Sequence, residues 1–142
     1  MTLEKEYVKT NITLIDRQHE RYFNAVERLF AQCAKENPDH EEVNAILEEA
    51  QEYAVDNFDT EEYLMQLEGY PDIEEHSEKH KNFKERLDNF TEQLEKEPAD
   101  IKDMTKRLRA LLIGWFNNQI KDDDMRMAAF LHSREKRTTQ GE

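Results

Sequence analysis

Apolar residues recur along this chain at steps of three and four, the spacing of amphipathic helices that share a core. The first run carries Ile15, His19, Phe23, Val26, Phe30 and Cys33, with Asp16 as a candidate N-terminal cap. The second, Val43, Leu47, Ala50, Ala54, Asn57, Glu61 and Leu64, alternates steps of four and three like an inward seam. Ile73, His76, His80, Phe83, Leu87, Phe90 and Leu94 make the third. The fourth holds Ile101, Met104, Leu108, Leu111, Leu112 and Trp115, extends through Gln119 and the run Asp122 to Asp124, and ends on Met127, Phe130 and Leu131.

Three breaks separate these runs: Asn37-Pro38-Asp39, Gly69-Tyr70-Pro71-Asp72 and Glu97-Pro98-Ala99-Asp100, each joining a proline to residues that turn or cap. Four amphipathic helices on short connections predict an all-α fold, an antiparallel up-down-up-down four-helix bundle. It is expected over residues 15–132. An N-terminal arm over 1–14 would lie against it, and a flexible polar tail over 133–142 would follow, with nothing to bury.

Composition supports this picture. A chain of 142 residues is long enough for one domain with its own core, and three Gly and three Pro leave most of it to helix formers. The 33 acidic residues against 20 basic ones, a net charge of −13, repel nucleic acid and anionic membrane surfaces, so neither is expected as a partner. The lone Cys33 and the absence of an apolar leader point to the cytoplasm, with Cys33 a small hydrophobe on an apolar face. Gly-rich phosphate loops, nucleophile elbows and Cys-x-x-Cys pairs are missing, so any catalysis would have to come from a metal.

Metal chemistry enters through the polar residues on the helix seams. His76 and His80, at i and i+4, project two imidazoles toward one point. That spacing also suits two hydrogen-bonded core histidines, so it does not decide the matter alone. Glu61 adds weight, because a carboxylate on a buried seam is costly unless a cation or hydrogen-bond partners compensate it. Asp124 offers a second carboxylate and His19 a third imidazole. The pattern is not ferritin-like, since Ser77 and Asp16 stand where Glu would be needed three residues before His80 and His19.

These residues, from about Ile15 to Leu131, resemble the hemerythrin family, particularly its bacterial single-domain members. The likeness rests on Ile15-Asp16-Arg17-Gln18-His19, on Phe58 to Glu62 with Leu64-Met65 and Gly69-Tyr70-Pro71, on His76-x-x-x-His80 with Phe83, and on Trp115 ahead of Asp124. It implies two non-haem irons bridged by one Glu and one Asp and capped by five histidines, one iron binding dioxygen reversibly. Glu61 and Asp124 match the bridges, His76 and His80 two ligands of one iron, and His19 one ligand of the other. Asn57 and Gln119 stand where the family has its remaining histidines. A carboxamide oxygen is a weaker donor than imidazole for such metals, which makes both positions weaker ligand equivalents, with Gln119 the better placed to reach. A family tryptophan near the N-terminus has no counterpart, although Tyr7 lies close to where it would fall.

The function implied is that of a diiron protein that binds dioxygen or a similar diatomic molecule, for carriage or sensing, rather than an enzyme. Three alternatives remain: a bundle without metal, one holding zinc or manganese with a structural or signalling role, and an iron site that reacts with dioxygen, peroxide or nitric oxide. Tyr22, Tyr53 and Tyr63 fall within a turn of the proposed ligands and are expected as ordinary core or boundary aromatics. His40 and His132 are expected in solvent.

Overall fold

The computed structural model describes residues 9–96 and 100–140, the last five by their backbone only. Its helices are α1 (Thr13–Cys33), α2 (His40–Glu68), α3 (Ile73–Lys96) and a fourth rod built of α4 (Ile101–Trp115), a π-helical stretch (Phe116–Asp123) and α5 (Asp124–Gln140). Helix α1 packs on α2 and α4, and α3 on α2 and α4, which closes a four-helix bundle. No strand occurs among the described residues. No helix among them is long and apolar enough to cross a membrane.

Local chemistry sets the helix ends. Asp39 caps α2 by accepting from the Glu41 N–H at 3.1 Å, and Glu41 and Glu42 place negative charge on the positive end of the helix. At its other end Gly69 adopts φ 70°, and the Tyr70 and Gly69 N–H groups bond the Met65 and Gln66 carbonyls at 2.9 and 3.4 Å, closing a Schellman cap. A Cβ at position 69 would meet no neighbour within 4 Å, so the requirement for glycine is purely conformational. Gly69→Ala is therefore expected to cost about 1 kcal/mol, the left-handed penalty, in a urea melt. No loss of stability would mean that the turn readily takes another form.

Asp16, expected as the cap of α1, is not one. The helix starts at Thr13 behind an Ile12 cap without side-chain capping, and Asp16 lies in the first turn. Its carboxylate accepts from the Thr10 N–H and hydroxyl at 2.8 and 2.6 Å and from the Asn11 N–H at 3.1 Å. It thus ties down the incoming chain, whose Asn11 has φ 62°. His132, expected in solvent, is half-buried and donates from Nε2 to the Thr10 carbonyl at 2.7 Å, pinning the same segment to α5. His40 is exposed, at the start of α2.

Residues 1–8 of the expected arm, Tyr7 included, lie outside the described residues, as do 97–99 of the third break and 141–142 of the expected tail. Beyond Ser133 the chain is helical to Gln140. Helical backbone bonds satisfy the peptide groups of this polar stretch, and Arg134 lies 3.8 Å from Glu68.

Two apolar clusters fill the bundle. The larger gathers Tyr22, Phe23, Leu47, Phe58, Leu87, Leu112 and their neighbours, and the smaller Ile15, Met65, Tyr70, Met127 and Leu131. Between them each of the four rods contributes polar side chains.

Candidate metal centre

That polar layer contains every candidate ligand position read from the sequence. His19 comes from α1, Asn57 and Glu61 from α2, His76 and His80 from α3, Gln119 from the π-helical stretch and Asp124 from the first residue of α5. None is more than 4 % exposed. Burying so many polar groups is tolerated only where they satisfy one another or hold a cation.

The π-helical stretch decides which aspartate enters. In an α-helix, steps of four from Trp115 lead through Gln119 to Asp123. Here the Asp124 N–H bonds the Gln119 carbonyl five residues back, so Gln119 and Asp124 share a face. Asp123 turns aside to pair with Lys79 at 2.8 Å and with Arg126.

Each central carboxylate divides its two oxygens between opposite sides of the layer. Glu61 Oε1 lies 3.0 Å from His76 Nε2 and 3.1 Å from His80 Nε2, while Oε2 faces His19 Nε2 at 3.8 Å. Asp124 Oδ1 lies 3.0 Å from His76 Nε2, and Oδ2 lies 3.0 Å from His19 Nε2. Gln119 Nε2 approaches His76 Nε2 at 2.9 Å and Asp124 Oδ1 at 3.3 Å. Glu61, His76, His80 and Asp124 each offer one donor atom, all within 4.8 Å of one another.

The donor set fits a cation better than a closed hydrogen-bond network. His76 Nε2 can carry one hydrogen, yet three polar atoms crowd it at 2.9–3.0 Å. Glu61 Oε2 and Asn57 Oδ1 are buried acceptors without a hydrogen-bond partner. His80 Nδ1 donates to Glu62 Oε2 at 2.9 Å, which turns Nε2 toward Glu61 in the ligand tautomer seen where carboxylates orient metal-binding histidines.

A profile of the hemerythrin HHE cation binding domain matches residues 10–131. The chain belongs to the hemerythrin family. It is 28 % identical over 117 residues to a bacteriohemerythrin of Pseudomonas aeruginosa, a match covering 82 % of this chain and 72 % of the relative. A bacteriohemerythrin of Stenotrophomonas maltophilia is 29 % identical over the same length and coverage. As a member of this family, the protein is a metal-binding, hemerythrin-like four-helix bundle.

Several residues that shape this hemerythrin centre escaped sequence reasoning. Gln18 accepts from Asn57 Nδ2 at 2.9 Å and donates to Thr60 Oγ1 at 3.0 Å, holding the Asn57 amide toward α1. Glu62, exposed on one side, orients His80. Gln18 and Glu62 were visible only as neighbours of His19 and Glu61 in the sequence. Tyr22 and Tyr53 are buried core aromatics, and Tyr63 is exposed. The Tyr22 hydroxyl donates to the Leu112 carbonyl, and Tyr53 accepts from Trp115 Nε1 at 3.0 Å. Burial holds both well above their usual pKa.

Electrostatics predict how the metal-free protein responds to pH. Burial works to lower the pKa of His19 and His76, but Asp124 and Glu61 outweigh it and push both up to about 9. Burial likewise opposes ionisation of Glu61, but the surrounding imidazoles hold its carboxyl well below the usual range. The histidine contribution to stability is complete below the ordinary value of 6.5 and is lost as pH rises through about 9. The Glu61 contribution is present above its ordinary 4.5 and lost as pH falls below that. Urea melts of metal-free protein should therefore give their highest midpoint between these two limits and a falling midpoint toward pH 9. A midpoint flat across neutral pH would place the imidazoles in the layer as neutral groups.

Proposed function

We propose that this hemerythrin-family chain is a non-haem diiron protein that binds dioxygen or a similar small diatomic molecule, in carriage or sensing. His76, His80, Glu61 and Asp124, assisted by Gln119, would hold one iron. His19 and the other oxygens of Glu61 and Asp124 would hold the second, with Asn57 as a weaker donor. The observation that carries the reading is the division of both carboxylates, each with one oxygen toward the His76 and His80 side and one toward His19. A pair of bridging carboxylates would have that arrangement.

Bound iron would supply redox chemistry and open coordination positions for a small ligand. The chain's own residues supply the rest. Glu62 fixes the His80 ring, and the stacked Phe58 ring, 3.9 Å away, keeps it in place. The two apolar clusters exclude water from either end of the layer, which strengthens every electrostatic contact inside it.

A second reading rests on the asymmetry of the layer. Two imidazoles serve one side and a single imidazole the other, so one zinc or manganese ion held by Glu61, His76, His80 and Asp124 is the competing occupant. Metal content per chain after expression with ample iron decides between them, together with a visible spectrum before reduction, after it, and on return to air. About two irons with colour that returns supports the diiron reading. A single colourless ion supports the second, and folded protein that takes up no metal would sink both.

A further inference from the structure

Between α3 and α4 the bundle opens into a groove of about 610 Å³, within the range of small-molecule sites. The seam between these helices is the loosest of the four. Gly114 lies on its wall, and a Cβ added there would meet nothing within 4 Å. The floor is aromatic: Phe83 and Trp115 stack with centroids 4.2 Å apart and planes 16° apart, and Phe90 extends the floor beneath the Arg107 guanidinium.

The charge of the groove opposes that of the molecule. In a chain of net charge −13, the groove is lined by Lys79, Arg86 and Arg107 against a single acid, Asp123. Asp123 is already paired with Lys79 and Arg126. Arg86 makes no hydrogen bond or ion pair among the described residues, which leaves its planar fork free for a carboxylate. The acidic remainder of the surface repels polyanions such as nucleic acid. Its field is screened beyond about 8 Å at physiological salt, so a small anion in the groove responds to the nearby cations.

We propose that this groove binds a small planar aromatic carboxylate, its ring over Phe83 and Trp115 and its carboxylate on Arg86. The aromatic floor selects a flat apolar body, and the cationic wall selects one negative charge. Gln119 and Asp123 are among the lining residues, so the site adjoins the polar layer without using any of its imidazoles. It stands whether or not the centre holds iron.

Calorimetric titration of the full chain with 2-naphthoate tests the assignment, with uncharged 2-naphthamide as control and the indole resonance of Trp115, the sole tryptophan, as a reporter of location. Saturable binding of naphthoate that shifts the indole resonance is expected, with naphthamide about tenfold weaker or more, the worth of a hydrogen bond to a charged group. Arg86→Gln should weaken naphthoate to the same degree and leave naphthamide unchanged. Gly114→Leu should fill the groove and abolish binding of both, with helicity and melting temperature retained, because leucine is the better helix former. Equal affinity for the two compounds, unchanged binding by Arg86→Gln, or binding that survives Gly114→Leu would overturn the proposal. So would a dimer of the parent chain, seen in sedimentation, that Gly114→Leu converts to monomer, since a second copy would then be the occupant.

Discussion

Replacing Asn57 and Gln119 together by histidine should tighten iron retention at least as much as the roughly tenfold to hundredfold that one outer-sphere partner contributes at a metal site. Each side of the polar layer would regain an imidazole, a stronger donor than a carboxamide for first-row transition metals. The two positions differ in what the change disrupts. Gln119 already lies 2.9 Å from His76 and 3.3 Å from Asp124, so a ring of similar reach enters with little rearrangement. Asn57 has no exposed surface, and its amide donates to Gln18 at 2.9 Å. An imidazole there must displace that bond and find room, at a packing cost of about 1–3 kcal/mol. Gln119→His alone should therefore capture much of the gain. Competition with a chelator measures the affinities. A double variant that surrenders iron as readily as the parent would show that positions 57 and 119 do not address the metals.

Glu61→Gln should have the opposite effect, loss of stable metal loading, and should also weaken the metal-free fold. Glu61 is wholly buried and lies 3.0 and 3.1 Å from the Nε2 atoms of His76 and His80. The amide keeps its shape but removes the charge that, with Asp124, raises the pKa of His19 and His76. Breaking a buried charge pair on one side costs about 3–5 kcal/mol, because the partner charge stays behind. That loss should appear in urea melts of metal-free protein near pH 6.5, accompanied by lower histidine pKa values in an NMR titration. A loss below about 1 kcal/mol, the scale of an exposed ion pair, would mean that the layer carries little charge without metal.

Much of this structure can be read from single positions. The steps of three and four named the inward face of every helix, and Pro38, Gly69 and Asp100 marked breaks or caps that are local events, decided by φ values and nearby N–H groups. Where local chemistry offered two equivalent choices the reading failed. Asp16 has the composition of a cap, yet Thr10 and Asn11 fold back onto its carboxylate from outside the helix. His132 has the composition of a solvent residue, yet the Thr10 carbonyl, 122 residues away in sequence, lies beside it.

Six of the seven polar residues of the layer, all but Asp124, stand at seam positions, so the sequence by itself determined that a polar layer interrupts the core and which donor types it holds. What only the tertiary structure decided is the arrangement of those donors in space. Asp124 rather than Asp123 reaches the centre because eight residues wind as a π-helix, a backbone register that the steps of three and four do not reveal. Gln18 holds Asn57, and Glu62 orients His80, because antiparallel helices bring together residues 39 and 18 apart in sequence. Periodicity specifies a face. A coordination site needs ångström distances between faces, and those exist only once the helices have packed.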